Sequence, residues 1–179
     1  MGELIQLEEV RRQRLARRVF GPWPRRLGYR PRPEERFSQL PDQVLDRLAE
    51  LDQAATLAIY DLALGVRGWG PGEKFSYLEA WAKMEALDAY LFLADQVRFE
   101  LMRRLGWLEG TPGQAYSMLE LARDYRDIMA SFRPSFPRLT EGYPGYQELS
   151  RRLALEPAAV VRSLIPEALK SFRQRCRQG

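Results

Sequence analysis

Histidine is absent from the 179 residues, cysteine occurs once, and the longest uninterrupted apolar run is the six residues Ala89 to Ala94. Without histidine there is no Ser-His or Cys-His catalytic pair, no imidazole base and no imidazole metal ligand. With Cys176 alone no internal disulfide forms, which fits a reducing compartment. Cys176 lies between Arg175 and Arg177, a setting expected to favour thiolate. Six apolar residues fall far short of the roughly 20 that a membrane helix needs. The first nine residues carry three Glu and no apolar core, so they do not read as a secretory signal. Position 6 is Gln, where the myristoylation pattern wants Ser or Thr. The expectation is a cytoplasmic chain with no membrane partner. Strand alternation of period two is also missing, so no sheet is predicted.

What is present describes a globular chain of about one domain. The apolar share is 45% and the charged share 29%, and a domain of this length buries enough surface to fold without a metal. Charge is unevenly placed. Residues 1–36 hold ten Arg and five Glu, a net +5; residues 37–150 net −6; residues 151–179 net +5. Basic ends on a mildly acidic body point to a polyanion or an acidic protein surface. Arginine outnumbers lysine 25 to 3, and its planar fork suits phosphates and carboxylates. The preference extends into the acidic body, so the choice of Arg reflects a general bias, whereas the placement of net charge does not.

The periodicity is helical nearly throughout, which predicts an all-α protein: a helical bundle of three longer helices, short C-terminal helices, and a basic, proline-containing N-terminal arm. The segments divide as residues 1–36, 37–145 and 146–179. Glu3 to Val19 reads as a helix with Leu4, Leu7 and Val10 on a partial apolar stripe. Pro22, Pro24, Pro31 and Pro33 then predict an extended arm. A helix is predicted from Pro41 to Gly65, with Val44, Leu48, Leu51, Ala55, Ile59 and Leu62 inward. A long helix is predicted from about Glu73 to Leu105, its core side thickened by Trp81, Tyr90, Phe92 and Phe99. A third is predicted from Thr111 to about Ser131, with Gln114 completing a capping box. Three short helices follow: Tyr146 to Leu155, Pro157 to Leu164 and Pro166 to about Arg175.

Two regions carry candidate contacts. In the C-terminal segment, Glu148 to Arg162 resembles a helix-turn-helix unit, with Leu149, Leu153, Val160 and Leu164 as its inner face, Ser150 allowing close approach, and Ala154 where Gly is usual. A plain helical hairpin explains the same pattern. As a DNA reader it offers Arg162 to base edges and Arg151, Arg152, Lys170 and Arg173 to phosphates. In the N-terminal segment, Arg11, Arg12, Arg14, Arg17 and Arg18 precede Arg25, Arg26, Arg30 and Arg32, which interleave with Trp23 and Tyr29. Arginines for phosphates and aromatics for stacking suit nucleic acid. The same aromatics, with Phe20, would equally anchor the arm on its own body or on a partner protein.

Carboxylates are the sole catalytic resource: Asp42, Asp46 and Glu50 on one helix, Glu85 and Asp88 on the next, Glu120, Asp124 and Asp127 on the third. Glu85-Ala-Leu-Asp88 followed by Ala-Tyr-Leu-Phe-Leu resembles the second metal-binding helix of the MazG-type nucleotide pyrophosphohydrolases. The likeness covers about ten residues, and the family's first Glu-x-x-Glu is replaced by Asp46-x-x-x-Glu50. It implies an all-α, Mg²⁺-dependent hydrolase. The glycine-rich loop 65–72 lacks the Gly-Lys-Ser/Thr of a phosphate loop and has no strand before it. Apart from that resemblance no catalytic, metal or cofactor residue is assigned, and no small-molecule substrate is expected. The leading expectation is a non-catalytic protein whose basic ends hold a polyanion, most plausibly nucleic acid. The alternative is an assembly subunit docking on an acidic partner.

Overall fold

The structure is a computed structural model that describes residues 2–132 and 136–178. Its described residues form ten α-helices, a few 3-10 turns and one ladder of two-residue strands, an all-α fold. The ladder, β1 (Leu108–Glu109) antiparallel to β2 (Arg138–Leu139), is too short for a period-two signal to register in the sequence.

The centre of the fold is α4 (Gln53–Gly65), in which every residue from Ala58 to Gly65 is buried. A helix apolar on all sides belongs in a core, and α1 (Gly2–Phe20), α2 (Trp23–Leu27), α3 (Asp42–Glu50), α5 (Ala80–Arg104) and α6 (Met118–Arg123) all pack on it. Small residues set the distances. A Cβ on Gly65 would lie 2.8 Å from Val19 Cγ2, so α1 crosses α4 at a point where only glycine fits. Ala16, Val19 and Phe20, spaced by three and one, bury the last turns of α1 there.

Residues 20–36 are not an extended arm. Pro22 and Pro24 stand at the start of α2, where a missing N–H costs nothing, and Gly28, at φ 68°, closes it by donating to the Pro24 carbonyl. Trp23 is fully buried, its indole Nε1 donating to the Ala58 carbonyl at 3.2 Å, with Phe20 edge-on to it at 5.2 Å. These aromatics anchor the segment to its own body.

Two of the three predicted long helices are broken by local competition. The segment 41–65 divides at Leu51, which takes a left-handed φ of 51°, because the Asp52 carboxylate accepts from Ala55 N and starts α4 afresh. The segment 111–131 divides into a 3-10 turn, α6, and α7 (Tyr125–Phe132). Its capping box is Ser117 with Glu120, not Thr111 with Gln114. The long helix α5 begins at Ala80 rather than 73, because residues 72–77 form a 3-10 turn pressed onto α4. At 1.5 Å per residue it spans about 37 Å.

The C-terminal helices fall where the periodicity places them: α8 (Tyr146–Leu155), α9 (Pro157–Ser163) and α10 (Ile165–Gln178). Ile165, Ala168 and Phe172 bury the inner side of α10 against α3 and α5. One contiguous core thus draws on residues from Ala16 to Phe172. No helix among the described residues is long and apolar enough to cross a membrane.

Candidate polyanion-binding face

The buried side of α1 fixes what its other side presents. Opposite Ala16, Val19 and Phe20 lie Arg11, Arg14 and Arg18, at steps of three and four, with Arg17 beside them. All four are exposed, and none has a carboxylate within ion-pairing distance among the described residues. Arg12, on the same side of the helix as Ala16 and Val19, meets Glu9 at 3.9 Å. From Leu4 to Arg14 every side chain is exposed, so the first half of α1 lies free of the core. Arg30 and Arg32, on the segment after α2, join Arg17 and Gln13 around an open cleft whose other charged members are Glu9 and Glu34.

Of the rest of the N-terminal set, Trp23, Arg26 and Tyr29 are committed to the fold, whereas Arg25 stays exposed. Arg26 is buried, its Nε and Nη2 bridging both oxygens of Asp61 at 2.7 and 3.0 Å while Nη2 also reaches Glu73 at 2.7 Å. Burial alone would lower this guanidinium's pKa, but the two carboxylates outweigh it and raise it. Burial pushes the Asp61 carboxyl up, against the pull of Arg26 and of the Gly72 N–H that donates to it at 2.7 Å. Arg25 lies 3.5 Å from Glu73. Tyr29 donates to the buried Glu35 carboxylate; burial and that bond push its phenol up to about 12. Trp23 is therefore enclosed in the core, and Tyr29 is half-buried with its hydroxyl committed to Glu35.

The C-terminal set is divided. Arg151, Arg152 and Lys170 are exposed and unpaired among the described residues. Arg162 is 3.0 Å from Asp95 and sits over the Phe136 ring, and Arg173 reaches Glu50 at 2.7 Å and Asp46 at 3.4 Å. The helix-turn-helix resemblance fails in its details. Val160 and Leu164 are buried and Leu149 and Leu153 half-buried, as an inner face requires, but Ser150 is exposed and donates to the Gln147 carbonyl. Ala154 is an ordinary exposed helical residue, so its lack of glycine's freedom is immaterial. The would-be recognition helix, α9, has seven residues.

The carboxylates are scattered among structural duties. Glu85 pairs with Arg67 at 3.3 Å, Asp46 and Glu50 with Arg173, Asp42 with Arg104, and Glu120 caps α6. Among the described residues no group of three His, Cys, Asp or Glu is gathered that would hold a metal ion. The glycine loop serves packing: a Cβ on Gly72 would sit 2.5 Å from the Leu57 carbonyl, and this closeness brings the Gly72 N–H to Asp61. Burial pushes the Cys176 thiol up, with Asp42 and Asp46 adding to it, the reverse of the thiolate expected from its arginine neighbours.

One surface escaped the sequence reading. Tyr77, Trp81, Met84, Leu87 and Leu91 form an exposed apolar stripe along α5 and the turn before it, Trp81 being 66% exposed. Trp81, assigned to the core by its helical spacing, touches Trp69 edge-on at 5.6 Å and otherwise faces outward. The chain matches no family model, no curated protein and no solved structure.

Proposed function

We infer that this chain is a non-catalytic binding protein that holds a polyanion, nucleic acid being the class its chemistry favours, on the outward face of α1. The observation that carries this reading is the unpaired row Arg11, Arg14, Arg17 and Arg18 in a molecule whose C-terminal Arg162, Arg173 and Arg175 all have carboxylates at hand. Two of these arginines, Arg17 and Arg18, stand in the last turn of α1, where the helix dipole favours cations. Arg30 and Arg32 extend the row. A row of guanidinium groups along one helix face follows a phosphate backbone; it has no sequence code of its own.

Binding of labelled duplex DNA and of RNA, titrated between about 50 and 200 mM salt, tests this directly. Replacing all four α1 arginines by Gln should flatten the log–log slope on duplex DNA by about 3 to 4, near 0.9 for each phosphate released. Arg173→Gln, which removes an internally paired cation, should leave the slope unchanged. No binding at the lower salt would end the reading.

The α5 stripe favours a second reading, a protein-interaction subunit. Phe20 and Trp23 are not available as its anchors, being in the core. An apolar stripe carrying Trp, Tyr and Met is instead the composition of an interface centre. Two antiparallel copies of α5 would set Trp81 against Leu91, a self-complementary arrangement. Sedimentation should then show a concentration-dependent mass that Trp81→Ser with Leu91→Ser reduces to the monomer. A wild-type protein that stays monomeric at every concentration would refute that contact.

A further inference from the structure

The cationic face of α1 does not stop at the end of the helix. Arg18 has no carboxylate partner among the described residues, and it reaches the turn that closes α4: a Cβ on Gly68 would lie 4.0 Å from its Nη1. Gly68 takes a φ of 74°, and the turn is fixed by two bonds, Gly68 N donating to the Gly65 carbonyl and Trp69 N to the Leu64 carbonyl. The residue that follows the arginine's resting place is therefore a tryptophan.

Trp69 is half-buried, with the Arg67 guanidinium 5.7 Å from its ring centre. It meets Trp81 edge to face, 5.6 Å between ring centres at 88°, and so sets the angle of a ring that is itself 66% exposed. Tyr77, four positions before Trp81, is 82% exposed, and Lys74 Nζ lies 5.7 Å from its ring centre. The arginine row thus runs into the aromatic end of the α5 stripe, in the order Arg14, Arg18, Trp69, Trp81. Of the carboxylates near in sequence, Glu73 is held by Arg25 and Arg26 and Glu85 by Arg67. That leaves Glu79 as the exposed acid beside the tryptophan, against Lys74 and the arginines of α1.

Unneutralised cations beside open aromatic rings suit a ligand that carries both negative charge and flat apolar faces. Nucleic acid has both, but a duplex stacks its bases on one another and offers only their edges and the backbone. A single strand leaves the faces of its bases free to lie on a ring. Resting on the polyanion reading of α1, we propose that the ligand is a single strand whose phosphates run along Arg11, Arg14 and Arg18 and whose bases, beyond the Gly68 turn, stack on Trp81 and Tyr77. The stacking is indifferent to base identity, since every base has such a face.

Three probes of equal length separate charge from stacking when titrated into the full chain at low salt: oligo(dT), an abasic strand with the same phosphates and no bases, and a duplex. Oligo(dT) alone should quench tryptophan emission, and it should bind about ten-fold more tightly than the abasic strand. Trp81→Ala, a change at an exposed side chain, should remove that quenching and weaken oligo(dT) about ten-fold, while the abasic strand binds as before. Leu91→Ser, at the other end of the stripe, should change neither. If oligo(dT) and the abasic strand bind alike, or the duplex quenches equally, α1 still holds a polyanion but the stacking surface is refuted. If Leu91→Ser weakens oligo(dT) as much as Trp81→Ala does, the stripe acts through contact between protein chains and the proposal fails. If none of the three probes binds, the polyanion reading fails and this one with it.

Discussion

Arg26→Met should lower the stability of the fold by roughly 3–5 kcal/mol in urea denaturation, the cost of leaving a buried charge without its partner. Asp61 is 1% exposed in the middle of α4, and it accepts two bonds from Arg26 and one from Gly72 N. Removing the guanidinium takes away both side-chain donors together and strips Glu73 of its closest cation. Arg26→Lys should recover little, because an ammonium cannot present the two parallel donors that grip Asp61. The acid limb carries a second signature. The Arg26 hydrogen bond holds Glu73 down at about 2 from its ordinary 4.5, with Arg25 adding a smaller pull. A depressed carboxyl stabilises the fold fully above its unfolded value and loses that contribution as pH falls from about 4.5 toward 2. Glu73 is nearly half exposed, so solvent screening keeps this part small. In Arg26→Met this loss on acidification should shrink, leaving the smaller pull of Arg25 and of the backbone hydrogen bond at Glu73. A single variant within about 1 kcal/mol of the parent would show that the network is incidental.

Trp23→Ala should cost a similar amount, roughly 3–5 kcal/mol, from lost burial and the cavity left between α1, α2 and α4. Trp23→Phe should be milder, since one aromatic ring is kept, and what is lost is the bond to the Ala58 carbonyl and the space of the second ring. Thermal and urea unfolding of the purified variants measure both. The comparison also separates two roles. A tryptophan held out as an anchor for a partner would leave the isolated chain's stability unchanged when removed.

The helical class was legible because periodicity survives local detail. Starts and stops at Gly65, Pro157 and Tyr146 were legible because Gly, Pro and caps act over three or four residues. The breaks at Leu51 and Asp124 were not. There an apolar pattern continues across a break in the helix, and which of two adjacent caps wins is decided by packing. The orientation of α5 was misread for a different reason. Its first turns present two periodic faces, one of Ala82, Ala86, Ala89 and Leu93, the other of Trp81, Met84 and Leu91. Size suggests the aromatic face for the core. The fold buries the alanines, because a narrow face lets α5 lie close to α4. In the candidate site, the count of cations was legible and their freedom was not. Arg26 and Arg14 look alike in a string of arginines; what distinguishes them is Asp61, 35 positions further along the chain.

The placement of α10 bears on how the chain is made. Phe172, fully buried, seals the groove between α3 and α5, whose facing residues are synthesised some seventy and more positions earlier. A nascent chain must hold that groove open until α10 has left the ribosome. The helical body therefore closes only once α10 has emerged, and the waiting intermediate is the stage at which a holdase chaperone would find apolar surface to grip.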